Sequence, residues 1–206
     1  MQAVSHDHQL RVLLKQHLAT RGSKGDVVVD EFLLAYGAAR ADVALVNGRL
    51  EGFEIKAGND TLARLQRQVE AYDRVFEFSW VVTTKEHLAG VRNLVPRRWG
   101  LMVASGDAVT AHLKPVRTAK RNKNREADHL ARLLWREELL AKLQDLGISR
   151  GLKSKPKVAL YAALAAAMTV EELADYVRIC LKTREDWRVG ARPSECGDLL
   201  HLAASA

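Results

Sequence analysis

The chain has 206 residues, 48% apolar and 28% charged, which suits one compact domain or a core with a small appendage and excludes wholesale disorder. Its 32 Lys and Arg against 25 Asp and Glu give a formal charge of +7, a balance that favours a polyanionic partner without requiring one. The two cysteines, Cys180 and Cys196, fit neither a disulfide framework nor a zinc site, and no apolar run is long enough to span a bilayer.

Leu10, Leu13, Leu14, His17 and Leu18 recur at helical spacing and predict an amphipathic helix over Gln9 to Thr20. Arg21 to Gly25 reads as a turn. Val27 to Leu34 is apolar and β-branched and predicts a strand, interrupted by Asp30 and Glu31; the small residues of Tyr36 to Ala39 suggest a bend. Asp42 to Val46 and Leu50 to Ala57 predict two strands joined at Asn47-Gly48, the strongest hairpin signal in the chain, and a two-residue turn there pairs Val46 with Arg49. Gly58 to Thr61 offer turn and N-cap chemistry for a helix over Leu62 to Phe76, with Leu62, Leu65, Val69, Tyr72 and Phe76 along one stripe. Phe78 to Thr83 predicts a strand and Glu86 to Leu94 a short helix. Gly100 to Ala104 and Val109 to Lys114 predict two further strands on either side of a Ser105-Gly106-Asp107 turn. This order predicts an α/β fold with a mixed sheet flanked by helices.

Composition shifts after Pro115. Residues 1–116 hold 15 basic and 13 acidic side chains, and residues 117–206 hold 17 and 12, so the basic excess belongs mainly to the second stretch. The reading is a core over 1–116 and a basic helical region over 117–206. Helices are expected from Glu126 to Leu146, from Ser154-Pro156 through Met168, and from a Thr169/Glu172 capping box to about Trp187. Met1 to His8 lack the basic flank and apolar stretch of a secretory signal, which predicts a cytoplasmic protein.

The chemistry concentrates around the hairpin. Strand side chains alternate, so Glu54 and Lys56 project to one side and Phe53 and Ile55 to the other; the apolar pair suits the core and the charged pair solvent or a cleft. With the two-residue turn, Asp42 lies opposite Phe53 and one step from Glu54. Two carboxylates on adjacent strands suit Mg2+ or Mn2+, which take hard oxygen ligands. A lysine beside them, Lys56, is placed to orient or deprotonate a bound water. Glu31, on the preceding strand, is a further candidate carboxylate and equally a salt-bridge partner for Arg40.

Asp42, Glu54-x-Lys56 and the following helix together resemble the PD-(D/E)XK nuclease superfamily, with Ala41 in place of the proline. Gln68 and Tyr72, four apart on one helical face, look like the Gln-x-x-x-Tyr signature of its RecB-like members. The stretch from Glu31 through Trp80, with Asp60-Thr61-Leu62 and Arg64-Leu65, resembles a bacterial, largely uncharacterised family of that superfamily. Leu133 to Glu138 and Lys182 to Arg188 look typical of it too. The resemblance implies a restriction-endonuclease-like core with a helical appendage and a metal-dependent nuclease acting on DNA. In it Asp42 and Glu54 hold the metal, Lys56 serves the water, and Gln68 and Tyr72 steady the lysine or touch nucleic acid.

Two basic clusters are candidate phosphate contacts: Arg117, Lys120, Arg121, Lys123 and Arg125, then Lys153, Lys155 and Lys157. Each is equally a solvated linker. A catalytically inactive nucleic-acid-binding or regulatory module of a bacterial defence or repair system is the alternative function, and a homodimer or partner subunit docking on the C-terminal helices is compatible with their apolar faces.

Overall fold

The computed structural model describes residues 7–34, 37, 39–58, 60–106 and 110–184. Among them, six strands form one sheet in chain order: β1 (Val27–Leu34), β2 (Ala39–Val46), β3 (Leu50–Lys56), β4 (Phe78–Thr83), β5 (Gly100–Ser105) and β6 (His112–Arg117). The first three make an antiparallel meander, β3, β4 and β5 run parallel, and β6 returns antiparallel along the edge. Parallel neighbours need crossovers, supplied by α2 (Leu65–Asp73) and α3 (Lys85–Leu94). The α/β class with a mixed sheet and a C-terminal helical part is as the sequence predicts.

Alternation along the strands divides the core in two. On one face, Leu10, Leu14 and Leu18 of α1 (Asp7–Arg21) pack on Val43, Leu45, Phe53, Ile55 and Trp80. On the other, Leu65, Val69 and Tyr72 of α2 and Val91 of α3 pack on Ala44, Val46, Leu50 and Val81. That second cluster continues without a break into α4 (Ala127–Ala131), α5 (Arg136–Asp145), α6 (Lys157–Ala167) and α7 (Val170–Thr183), through Leu130, Leu139, Leu160, Leu164, Leu173 and Val177. The helical region therefore buries its apolar sides in the same core as the sheet.

The alternation slips once, at one level of the sheet. Val27 and Val29 face the second core, yet so do Phe32 and Leu34; in β2 the inward residues change likewise from Ala39 and Ala41 to Ala44 and Val46. Asp30 pairs with Val43 and Phe32 with Ala41, so Glu31 and Asp42 face each other at the slip. Glu31 has φ 54°, a left-handed conformation costly for a residue with a Cβ, and this rotates the strand between its two apolar halves. The acidic interruption read in the sequence is thus the point where both strands change phase.

Several boundaries differ from expectation. β2 starts at Ala39, inside the predicted bend; Tyr36 lies outside the described residues. The hairpin pairs Val46 with Leu50, so its loop has three residues, closed by Asn47 Oδ1 accepting the Arg49 N–H at 2.7 Å. α2 begins at Leu65 because Asp60 is spent on the Ala57 N–H, at 2.8 Å, and no side chain caps the helix start at Arg64. β6 begins at His112 rather than Val109. The long helix predicted from Glu126 to Leu146 is two helices, broken where Trp135 is extended (ψ 162°) and donates its N–H to Glu138 Oε2 at 2.7 Å. Arg184, almost fully buried, holds this corner through Glu138 Oε1 at 2.9 Å and the Leu133 carbonyl at 2.8 Å. The Thr169/Glu172 capping box forms at the start of α7 as predicted. Trp187 and Cys196 lie outside the described residues. No described helix is long and apolar enough to cross a membrane.

Candidate active site

Phe53 and Ile55 point beneath α1 as predicted, Phe53 stacking with Trp80 at 6.2 Å. Glu54 and Lys56 point to the opposite face, but that face is no open cleft: they are only 1% and 5% exposed. α2 lies over them and offers Gln68 and Tyr72 rather than an apolar ridge, so the charged pair is buried against polar partners. Lys56 Nζ donates to Glu54 Oε1 at 2.7 Å, Gln68 Nε2 donates to the same oxygen at 2.5 Å, and Tyr72 Oη donates to Glu54 Oε2 at 2.8 Å. The Phe53 carbonyl is a second acceptor for Tyr72, at 3.1 Å.

The corrected hairpin register moves Asp42. The ladder's last pair is Val43 with Phe53, so Asp42 sits level with Glu54 and not with Phe53. Its Oδ2 accepts the Ile55 N–H at 2.7 Å, tying the two strands together just beyond the ladder. The other side of the carboxylate meets Arg11, a residue the sequence reading did not single out. Arg11 reaches from α1 and donates to the Asp42 carbonyl at 2.6 Å and to Oδ1 at 3.3 Å. Glu31 lies 3.0 Å from the same guanidinium, and Asp7 and Asp30 each 3.6 Å. Glu31 also pairs with Arg40 at 2.5 Å. It therefore joins the Arg11 cluster beside the site, and both of its oxygens face cations.

Burial governs the electrostatics. Desolvation first, and neighbouring Asp42 second, raise the Glu54 pKa to about 7 against the opposing effects of Lys56 and Tyr72. Asp42 is raised as well, first by burial, with the Ile55 N–H and Arg11 partly offsetting it. Tyr72 is pushed well above its usual range by burial and by Glu54, so it stays a donor. Burial alone would depress Arg11, but Asp42, Asp7, Glu31 and Asp30 together outweigh that and raise it. Two desolvated carboxylates, one of which opposes the ionisation of the other, form a place where added positive charge is favoured.

The donor set fits a magnesium-class cation in kind. No group of three or more His, Cys, Asp or Glu among the described residues is arranged to share a metal ion. Magnesium, however, keeps several waters and needs only one or two carboxylates, which Asp42 and Glu54 supply. Gln68 Oε1, buried beside Glu54, has no hydrogen-bond partner, which leaves one more oxygen donor at the site. The positive charge found there is the protein's own: Arg11 on Asp42 and Lys56 on Glu54.

Residues 2–191 match the family described as Bacteriophage P4 protein cII. The chain belongs to that family. Protein cII of Enterobacteria phage P4 is 23% identical over 188 residues, which are 89% of this chain and 69% of that protein. Among solved structures, a protein of unknown function from Silicibacter pomeroyi, SPO1766, is 22% identical, with a TM-score of 0.43, over 71% of this chain and 92% of that one.

In this cII-family chain the predicted basic clusters serve different ends. Arg125, its side chain 1% exposed, lies between Glu77 at 3.4 Å and Glu171 at 2.6 Å, so it is a core ion pair and no phosphate contact. Arg121 engages the same two carboxylates, at 3.3 and 2.7 Å. Arg117 turns inward and donates to the carbonyls of Trp99 at 2.7 Å and Pro96 at 3.2 Å. Lys120, Lys123, Lys153 and Lys155 are exposed, and Lys157 opens α6, half-buried. Only the separation of Arg11 and Asp7 by one helical turn hinted at Arg11's role; its contact with Asp42 spans two elements that no local pattern connects.

Proposed function

We propose that this protein is a divalent-cation-dependent phosphodiesterase acting on nucleic acid, DNA in the first instance, in the cytoplasm. The observation that carries the reading is the pair Asp42 and Glu54: both desolvated, on adjacent strands, with Asp42 raising the pKa of Glu54 and Lys56 against Glu54. The resemblance to PD-(D/E)XK nucleases supplies the reaction class. Asp42 and Glu54 would hold Mg2+ or Mn2+, which when bound offsets charge building on the phosphoryl oxygens and acidifies an attacking water. Lys56, released from Glu54, is positioned to orient that water or, as the neutral amine, to take its proton. Gln68 and Tyr72 position Glu54 from α2; Tyr72 holds one oxygen and Gln68 the other. Arg11 must leave Asp42 Oδ1 for that oxygen to become a ligand, so α1 sets how readily the site loads.

A second reading has its own support: every oxygen of the two carboxylates already accepts a proton donor from the protein. On that reading the site is a locked structural core of a nucleic-acid-binding or regulatory module. Calorimetry with Mn2+ and cleavage of supercoiled plasmid, single-stranded DNA and RNA separate the two. The phosphodiesterase reading expects Mn2+ binding and cleavage, both lost in Asp42→Asn and in Glu54→Gln. Metal-dependent cleavage retained in the Asp42→Asn/Glu54→Gln double variant, or no Mn2+ binding by the wild type, would overturn it.

A further inference from the structure

The end of α3, the segment entering β5 and the end of β6 enclose an open concavity of about 640 Å³. Arg92, Arg97, Arg117 and Lys120 line it together with Asn93 and Thr118, and no acidic residue among the described ones does. By contrast, Arg11, Arg98, Arg121, Arg125, Arg178 and Arg184 each meet a carboxylate. Arg92, Arg97 and Lys120 are exposed and have no ion-pair partner among the described residues. Arg117, pinned by the Trp99 and Pro96 carbonyls, gives the concavity a fixed cationic floor. Burial first, then Arg92 and Arg97, lower its pKa, the mark of like charges crowded together.

Such an arrangement costs the free protein repulsion that an anion relieves. An open shape on a sheet edge suits a chain passing through rather than a small molecule enclosed. Lys114, exposed on the same edge strand, extends the positive surface. We propose that this concavity binds consecutive phosphates of a nucleic-acid backbone, with Arg92, Arg97 and Lys120 as the contacts and Asn93 and Thr118 as neutral donors. It is separate from the carboxylate site: β6 is three strands from β3, and Arg92 and Arg97 lie where the chain enters the start of β5, whereas Lys56 closes the end of β3. The inference stands without the phosphodiesterase reading.

The test is fluorescence anisotropy of a short labelled DNA strand and its duplex with the full chain, in EDTA so that turnover plays no part, over a series of KCl concentrations. Arg92→Gln/Arg97→Gln/Lys120→Gln should weaken binding about tenfold or more and reduce the slope of log affinity against log salt by about 2 to 3, one step per lost phosphate contact. Lys153→Gln/Lys155→Gln, which lowers the net charge elsewhere, should leave affinity within about twofold. The single variants Arg92→Gln and Arg97→Gln are measured alongside, with circular dichroism as the folding check. Equal weakening by the triple variant and the Lys153/Lys155 control would reduce the effect to net charge and overturn the site. So would an unchanged triple variant, the absence of wild-type binding, or binding of inorganic phosphate or anionic lipid vesicles without binding to the strand or the duplex.

Discussion

Glu54→Gln isolates the energetic cost of the candidate site. In the folded protein Glu54 binds its proton up to about pH 7, whereas the unfolded chain releases it near 4.5. The sign follows directly: the folded state holds more protons between these values, so stability is complete below about 4.5, falls as pH rises through 7, and stays low above. The shift corresponds to about 3 kcal/mol at about pH 8 and about 1 kcal/mol at about pH 5. Glutamine mimics the protonated acid. Its Oε1 can keep the donors Lys56 and Gln68, and its Nε2 can donate to Tyr72 Oη, which then donates to the Phe53 carbonyl it already approaches at 3.1 Å. Urea unfolding followed by tryptophan fluorescence should therefore find the stability of the variant relative to the wild type rising by about 2 kcal/mol from pH 5 to pH 8. A difference independent of pH would refute the claim that a desolvated carboxylate sits at this position.

Two other substitutions probe neighbouring parts of the argument. Arg11→Gln removes the cation that Asp42 now faces; Mn2+ affinity measured by calorimetry should rise about tenfold, given a unit charge lost within about 4 Å of the ligand oxygen, and an unchanged or weaker affinity would show that Arg11 does not compete for the site. Arg125→Ala leaves Glu77, with a side chain 5% exposed, short of its buried partner; chemical denaturation should record a loss of about 3 to 5 kcal/mol, and a loss under about 1 kcal/mol would place that arginine on the surface after all.

Much of the fold was legible because its signals are local. β4 matches its predicted span, and the Thr169/Glu172 box and Pro156 open the helices they were expected to open, since alternation and capping act within a few residues. The misses come from contacts across the chain. A helical pattern continues through Trp135, but Glu138 and Arg184 hold a corner there, an interaction 46 residues apart. The one-residue difference in the hairpin loop changed which residue stands level with Glu54. In the candidate site, Glu54 and Lys56 were singled out from strand alternation and Gln68 and Tyr72 from the family resemblance, and the four do meet; Arg11 and the burial of the pair depend on how α1 and α2 cover the sheet. The basic clusters were misread where a carboxylate waited elsewhere in the sequence: Arg125 looks like a phosphate contact until Glu77 and Glu171 are placed beside it.

That same pairing constrains the order in which the protein is made. Glu77 leaves the ribosome at the entrance to β4, long before Arg125 and Arg178 can neutralise it. The corner at Trp135 likewise stays open until residue 184 has been synthesised. The sheet's strands are all present once Arg117 has emerged, yet a nascent chain halted there would carry a carboxylate in a position meant to be dry and an apolar face covered only in part, by α2 and α3. Native packing is thus deferred nearly to the last helix, and the intermediate is the form of this protein most in need of a chaperone.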